Sequence, residues 1–156
     1  FDDDDLYAPP YLGGMLRALH SGGASVCKLV AWHILDTEAC VCGHYDNSIR
    51  LPQPFEGDRD QGLLAGGYGF SFVYRRQVAL KLGFRDVSWG EDTYFANTVK
   101  AASVHTVFIR DTDFVCLHTQ HGQNLSRSIA QTLVAPRTCL AFLGQLGRLA
   151  EALVSR

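Results

Sequence analysis

The sequence predicts a globular α/β domain, and the alternation of strand-like with helical segments decides this class. Apolar residues make up 47% of the 156 residues and charged residues 19%, a composition typical of a globular protein with one modest core. Segments with the apolar pattern of strands alternate along the chain with segments of helical spacing. The formal net charge of -2 argues against a nucleic-acid-binding domain built on a basic face.

The first helix and the strand after it have the clearest patterns. Residues 9–20 are predicted to form a short helix, because two prolines suit its first turn and three leucines follow at helical spacing. Residues 25–35 are almost wholly apolar, which predicts a strand covered on both faces. A weaker strand is predicted over 39–45, and the polar segment 46–66 is predicted to be a long loop.

The predicted elements after this loop are shorter. They are a strand at 70–74, helices at 75–83 and 91–102, and strands at 104–109 and 114–118. From Ser126 onwards the pattern is helical, with an interruption at Pro136. Residues 126–156 are therefore predicted to be a C-terminal helical segment that follows a domain over residues 1–125.

Four consecutive aspartates, Asp2 to Asp5, open the chain. Like charges at such close spacing raise one another's proton affinity unless a cation screens them. Residues 1–60 carry ten Asp or Glu against four Lys or Arg, so the charge around this opening also favours a cation. Oxygen ligands suit a hard divalent ion such as Mg²⁺ or Mn²⁺. A solvated acidic terminus, or a helix N-cap cluster ahead of Pro9, would explain the same charges without a metal.

The residues that follow make the acidic opening more specific. Phe-Asp-Asp-Asp-Asp-Leu-Tyr-Ala-Pro, over residues 1–9, resembles the DxD segment of glycosyltransferase family 2 enzymes, where proline follows Asp-x-Asp-Asp after three residues. The resemblance implies that Asp2 and Asp4 match the two DxD positions and bind the nucleotide sugar, with Asp4 in direct contact with the metal. Asp3 then fills the variable position, and Asp5 matches the fourth carboxylate. A one-residue shift in this assignment stays open because the four aspartates are consecutive.

A second match lies downstream. Segment 66–93, with its glycine-rich turn and its Trp-Gly-Glu-Asp element, resembles the glycine strand and WGED motif of the same family. The resemblance implies that Gly67 approaches the nucleotide sugar and that Trp89, Gly90 and Tyr68 contact the acceptor. Glycines let a backbone approach a ligand closely, and Trp89 beside the bare Gly90 is placed to form a stacking floor. Core packing of Trp89 or Tyr68 stays the alternative.

Asp92 and Glu91 are predicted to have different tasks. Asp92 lies on the apolar stripe of its predicted helix with Phe95 and Val99, so its carboxylate is expected at the edge of a cavity. The helix N-terminus stabilises a carboxylate there, and the general base for an acceptor hydroxyl needs such a rigid, partly desolvated position. Glu91 completes a capping box with Ser88, so it is expected to cap the helix and to contact the acceptor. The family pattern, which places the base at the second acidic residue, agrees.

Two of the six histidines are candidate metal ligands. His118 and His121 lie together after a predicted strand, and His121-Gly122-x-Asn124 resembles the HGxN of family 2 sequences. Many GT-A enzymes bring a C-terminal histidine back to the DxD metal, which implies His121 as a ligand and His118 as second choice. Imidazole among oxygen ligands is acceptable for Mn²⁺. A polar loop with a histidine at each end is the alternative, and the other four histidines are expected to be structural or exposed.

Together these motifs are similar in kind and order to the metal-and-acceptor half of a GT-A domain. The resemblance implies a partial GT-A fold over residues 1–125, a mixed sheet flanked by helices, with the N-terminal nucleotide-binding βαβ half missing. The implied enzyme is a metal-dependent, inverting glycosyltransferase of hexosyltransferase type that uses Mn²⁺ or Mg²⁺. Its expected partners are a nucleotide-sugar donor, first of all a UDP-sugar, and a carbohydrate or other hydroxyl acceptor. Without the nucleotide-binding half, the chain is expected to bind nucleotide poorly.

Two other classes of protein stay open. A degenerate glycosyltransferase domain would bind carbohydrate or protein without catalysis, although the intact Asp2, Asp4 and Asp92 argue against degeneracy. A metal-dependent phosphohydrolase also uses clustered aspartates, but it predicts a nucleophile or further carboxylates around a second metal, which the sequence does not offer. No apolar run reaches transmembrane length, and membrane association and compartment stay open.

Overall fold

The computed structural model describes residues 2–48, 68–87, 90–124, 130–135, 137–144 and 147. Within these ranges a mixed seven-stranded sheet is flanked by helices, so the predicted α/β class is confirmed. In chain order the elements are β1 (Leu6–Tyr7), α1 (Pro10–Ser21), β2 (Val26–Asp36), β3 (Val41–Asp46), a 3-10 turn (Gly69–Ser71), β4 (Phe72–Tyr74), α2 (Arg76–Leu82), α3 (Glu91–Ala101), β5 (Thr106–Arg110), β6 (Cys116–Gln120) and β7 (Thr132–Leu133), and residues 137–144 are helical.

Strand β2 is the centre of the sheet. Its first nine residues are buried, which confirms the strand covered on both faces that its apolar run predicted. The first half of β2 pairs antiparallel with β4 and parallel with β5, and its second half pairs antiparallel with β3 and parallel with β6. Strand β1 pairs antiparallel with β6. The residues before β1 therefore lie at the carboxyl ends of β2 and β6.

Helices cover both faces of β2, because successive side chains of a strand point to opposite faces. The apolar stripe of α1 joins the cluster that contains Cys27 and Leu29, whereas the stripe of α3 packs against Val26. The buried residues of the two stripes are Tyr11, Met15, Leu19, Phe95, Ala96 and Val99. Burial of each large side chain contributes roughly 1.5–3 kcal/mol, so packing is the main force that holds these helices on the sheet.

The ends of the first two helices agree with the residues that predicted them. Helix α1 begins at Pro10, directly after Pro9, where a missing backbone N–H costs nothing. Helix α2 ends before Gly83, whose φ of 69° lies in the left-handed region that glycine tolerates. Within the described residues, no helix combines the length and apolar character needed to cross a membrane.

The start of α3 differs from the prediction. A capping box would make Ser88 the N-cap and would place Glu91 at the third helical position. The observed N-cap is Gly90, with a φ of 81°, and Glu91 is the first helical residue. The predicted helix-capping role of Glu91 is therefore wrong, because the turn at Gly90 starts the helix two residues later than the capping box requires. Ser88 itself lies outside the described residues.

The C-terminal segment is only partly helical. Residues 137–144 form a helix as predicted, but Thr132–Leu133 forms β7 and pairs with Gly43 and His44 at the edge of β3. A Cβ on Gly43 would lie 2.2 Å from the Cβ of Ala130, so this glycine lets the incoming chain approach the sheet. The helical prediction is wrong at β7 because backbone pairing with an open strand edge outweighs local propensity. The predicted loop 46–66 lies outside the described residues after position 48.

Candidate functional site

The register of β1 against β6 brings the aspartates to a histidine. Leu6 is opposite Leu117 in this antiparallel pair. The residue before Leu6 therefore faces the residue after Leu117, which places Asp5 beside His118. His118 Nδ1 lies 2.9 Å from Asp5 Oδ1, and the Thr119 backbone N–H donates to the same oxygen at 2.8 Å. These contacts fasten the acidic segment to the sheet.

Asp4 contacts two residues of the HGxN segment. His121 Nε2 lies 3.0 Å from Asp4 Oδ2, and Asn124 Nδ2 donates to the same oxygen at 3.2 Å. The Asn124 amide oxygen accepts the His121 backbone N–H, and Asn124 Nδ2 also reaches the Thr119 carbonyl at 3.3 Å. The turn over residues 121–124 is thus held against Asp4, so two segments more than a hundred residues apart in sequence meet at one carboxylate.

Three of the four aspartates form a cluster. Asp2, Asp4 and Asp5 each offer one carboxylate oxygen, and these oxygens lie within 4.8 Å of one another. The surrounding protein removes water from the Asp2 carboxyl, and together with the nearby charge of Asp5 this raises the pKa of Asp2 above its ordinary value. A bound cation would relieve that repulsion, although exposed acidic groups are also common without one.

The orientation of the His118 ring is set by its contact with Asp5. Its Nδ1 faces the Asp5 carboxylate, so a neutral ring donates from Nδ1 and keeps its lone pair on Nε2. Nε2 is buried and has no hydrogen-bond partner among the described residues. Metal-binding histidines typically donate their other ring N–H to a carboxylate, as His118 does. The cluster oxygens are ligands of the kind that Mn²⁺ or Mg²⁺ accepts, whereas His118 Nε2 is not among the atoms of this cluster.

The 3-10 turn Gly69–Ser71 connects the acidic segment to helix α3. The Phe70 ring stacks on His118 with 4.6 Å between ring centroids, and the Tyr7 hydroxyl donates to the Phe70 carbonyl at 3.1 Å. The neighbouring Gly69 N–H donates to Asp92 Oδ2 at 3.0 Å. A single turn therefore sets the position of the predicted base relative to the aspartate and histidine cluster.

Asp92 is held at both of its carboxylate oxygens. Oδ2 accepts the Gly69 N–H, and Oδ1 accepts the Thr93 backbone N–H at 2.6 Å. A Cβ on Gly69 would lie 2.9 Å from the Asp92 Cβ, so the absence of a side chain there allows the close approach. The carboxylate is half-buried in the first turn of α3, where the helix dipole favours its charge. Such a rigid carboxylate is suited to accept a proton.

Lys28 lies behind this turn and is fully buried in β2. Its Nζ donates to the Tyr68 carbonyl at 2.9 Å and to Ser71 Oγ at 3.3 Å, and it lies 4.4 Å from the centre of the Phe72 ring. Burial lowers the pKa of Lys28 to about 7, and the charge of Asp92 acts in the opposite direction. The Lys28 ammonium group therefore lies close enough to Asp92, the predicted base, to interact with it electrostatically.

The predicted acceptor-binding residues are only partly described. The Tyr68 ring packs 4.8 Å from Trp32 and 5.7 Å from Tyr45, measured between centroids, so its ring contributes to the core. Tyr68 also has a φ of 58°, which is uncommon for a residue other than glycine. Gly67 and Trp89 lie outside the described residues.

Neither a scan against protein-family models nor a search of curated proteins finds a match to this chain. Its function is therefore to be inferred from its own residues and their geometry. These residues form two chemically distinct parts: carboxylates and imidazoles around Asp4, and one firmly held carboxylate at Asp92.

Two residues of the site were missed from the sequence. The motif assigns Asp5 only to the fourth carboxylate position, yet Asp5 is buried and in contact with His118. Lys28 lies in a strand for which the sequence predicts no site residue, although a lone lysine inside the apolar run 25–35 is a visible signal. A charged side chain in a strand that is buried on both faces needs specific partners, so such a lysine is a candidate site residue.

Proposed function

We propose that this chain belongs to a metal-dependent glycosyltransferase that moves a sugar from a nucleotide-diphosphate sugar, first of all a UDP-sugar, to an acceptor hydroxyl. The observation that carries the proposal is the turn at Gly69–Ser71, which contacts His118 through Phe70 and Asp92 through Gly69. The turn thereby links the residues that would hold the metal to a firmly held carboxylate, and this transfer needs both. A GT-A fold, with the DxD at Asp2 and Asp4, is part of the same proposal.

Asp4, His121 and His118 would hold the divalent ion in this proposal. Asp4 contacts His121 and Asn124, and His118 Nε2 has no hydrogen-bond partner in the part of the chain that the structure describes. When bound, Mn²⁺ or Mg²⁺ supplies positive charge to offset the charge that develops on a diphosphate leaving group. Asp2, whose carboxyl is crowded by its neighbours, would contact the sugar or ribose of the donor.

Asp92 would act as the general base. Its carboxylate takes the proton of the acceptor hydroxyl, whose oxygen then forms a bond to the anomeric carbon of the donor sugar. The bond from that carbon to the diphosphate oxygen breaks at the same time, and its electron pair leaves with the diphosphate. The hydrogen bonds from Gly69 and Thr93 keep the base in place through this step. A single displacement of this kind inverts the anomeric configuration.

Glycosyl transfer by the protein that carries this chain is the direct test. Labelled UDP-sugars, Mn²⁺ and a panel of carbohydrate acceptors are supplied, and the rate of product formation is measured. Asp92→Asn keeps the shape of the side chain and removes the base, so kcat is expected to fall by about 10²–10⁴-fold. Asp86→Asn is the matched control, because Asp86 is exposed and lies outside the site, and its kcat is expected to equal that of the wild type.

The other outcomes are equally informative. Transfer that survives Asp92→Asn would contradict the role of this residue as base, and a product with retained anomeric configuration would contradict the inverting course. Carbohydrate binding without transfer from any nucleotide sugar would favour a non-catalytic binding module instead.

A further inference from the structure

Lys28 is a buried cation for which the proposed chemistry has no role. Burying an ammonium is costly unless strong partners compensate it, and this one lies at 0% exposure in the central strand. Among the described residues, no carboxylate oxygen lies within 4.0 Å of its Nζ. Its hydrogen bonds go instead to the backbone and hydroxyl of the turn that leads to Asp92. A charge that is costly to bury, and whose hydrogen-bond partners lie in this turn, indicates a function at the turn.

The contacts of Lys28 span the turn from end to end. Nζ binds the Tyr68 carbonyl at the start of the turn and Ser71 Oγ at its end. Gly69 lies between these two anchors, and its N–H is the donor that reaches Asp92 Oδ2. A change in either anchor is expected to move this N–H, since the turn contains only three residues.

We propose that Lys28 is a positioning residue for Asp92: it fixes the Gly69 turn and so holds the carboxylate in its working position. The catalytic consequence rests on the proposed function, whereas the positioning itself can be measured without any transfer reaction. Lys28 does not touch the acceptor in this proposal and acts only through the turn.

A lysine serves this purpose better than a neutral residue. The Ser71 hydroxyl by itself reaches the Tyr68 carbonyl only at 3.4 Å, which is a weak closure of the turn. When protonated, Lys28 adds two hydrogen bonds from a charged donor, which are stronger than neutral ones. The positive charge of Lys28 also interacts electrostatically with the Asp92 carboxylate.

The first experiment measures the linkage directly by NMR. The pKa of Lys28 is read from its Cε resonance in the wild type, in Asp92→Asn and in the control Asp86→Asn. Because the Asp92 charge works to raise this pKa, Asp92→Asn is expected to lower it below the wild-type value of about 7, and Asp86→Asn to leave it unchanged. An unchanged value in Asp92→Asn would overturn the proposed coupling.

The same samples report on the turn. In Lys28→Met the Gly69 amide is expected to lose its fixed hydrogen bond, so its proton resonance moves upfield and its hydrogen exchange speeds up by about tenfold or more. Lys100→Met, a change of the same kind at an exposed position of α3, is expected to leave the Gly69 amide as in the wild type. A Gly69 amide with wild-type shift and exchange in Lys28→Met would overturn the proposal.

Lys28→Met is expected to fold. The pH dependence of the wild-type stability, measured relative to this variant, tests whether the Lys28 charge is buried. Burial lowers the pKa of Lys28 from 10.5 to about 7, so between these pH values the unfolded chain binds more protons than the folded chain. The free energy of unfolding of the wild type, relative to Lys28→Met, therefore rises with pH across this window. If Lys28→Met does not fold, Ser71→Ala removes one anchor of the turn and takes its place in the measurements on the Gly69 amide and on kcat.

Kinetics then separate this proposal from the proposed function. Lys28→Met is expected to lower kcat about tenfold, with an unchanged KM for the donor and unchanged Mn²⁺ binding, because the base is displaced and the metal end is untouched. If Asp92→Asn keeps its full kcat, the proposed function fails while the NMR linkage can still stand. If Asp92→Asn is inactive and Lys28→Met keeps its full kcat, the positioning proposal alone fails.

Discussion

Two aspartate–histidine pairs lie side by side in this protein and differ in burial. The side chains of Asp5 and His118 are 0% and 9% exposed, whereas those of Asp4 and His121 are 35% and 34% exposed. Both pairs join the acidic segment to the residues of β6 or just beyond it, with the same residue types and similar distances. The difference in burial between the two pairs therefore comes from their positions in the fold and not from their residue types.

Burial gives the two pairs different consequences. A buried charge that loses its partner is strongly destabilising, so Asp5 and His118 are expected to act as a structural anchor. An ion pair at the surface contributes little to stability, because water and salt screen it. The half-exposed Asp4 and His121 are therefore within reach of a ligand, and this exposure costs the fold little. In the proposed metal site, Asp5 would hold the segment through its buried contacts, and the half-exposed pair would offer ligand atoms.

Removal of the buried anchor should have the largest effect. Asp5→Ala leaves His118 and the Thr119 N–H without their acceptor, so the free energy of unfolding is expected to fall by about 3–5 kcal/mol. Urea denaturation followed by circular dichroism measures this change. Asp3→Ala, at an exposed position of the same segment, is the control and should stay within about 0.5 kcal/mol of the wild type. Similar losses of unfolding free energy in Asp5→Ala and Asp3→Ala would contradict the role of the buried pair as a structural anchor.

His118→Ala should have the next largest effect. It removes the partner of Asp5 and the ring stacked on Phe70, but Asp5 still accepts the Thr119 N–H. The expected loss of unfolding free energy is about 2 kcal/mol, measured in the same denaturation experiment. His121→Ala, its exposed counterpart, is expected to lose less than about 1 kcal/mol. A larger loss in His121→Ala than in His118→Ala would reverse the assignment of the two pairs.

Asp4→Asn should separate metal binding from stability. Without metal its free energy of unfolding is expected to lie within about 1 kcal/mol of the wild type, because the Asp4 pair is half-exposed. Manganese binding, followed by electron paramagnetic resonance of the free ion, is expected to weaken about tenfold or more. Asp3→Asn is the matched control for the loss of one negative charge. Equal Mn²⁺ affinity in Asp4→Asn and Asp3→Asn would rule out a specific role of Asp4.

Asn124→Ala is expected to have the smallest effect. It removes the amide that closes the 121–124 turn and one hydrogen bond to Asp4, while His121 keeps its own contact with the carboxylate. The expected cost is about 1 kcal/mol of unfolding free energy, together with a modest decrease in Mn²⁺ affinity. Calorimetric titration checks the affinity. A complete loss of Mn²⁺ binding would show that Asn124, and not the histidine, organises this pair.

Local sequence patterns determined the order and type of most elements. The apolar run that became β2 predicted burial on both faces, and helical spacing after two prolines predicted α1. These predictions succeed because side-chain periodicity and backbone restrictions act within a few residues. The helical prediction is wrong for the two-residue strand β7, because this strand forms by pairing with β3 and not through its own local pattern.

The sequence by itself also identified the chemistry at hand: a run of carboxylates, two histidines followed by Asn124, and Asp92 at the start of an amphipathic helix. Only the tertiary structure decided which of them meet. Antiparallel pairing of Leu6 with Leu117 put Asp5, and not Asp4, against the buried His118, and a shift of one residue would have exchanged them. Strand register depends on contacts between residues more than a hundred positions apart, and no local pattern encodes such contacts.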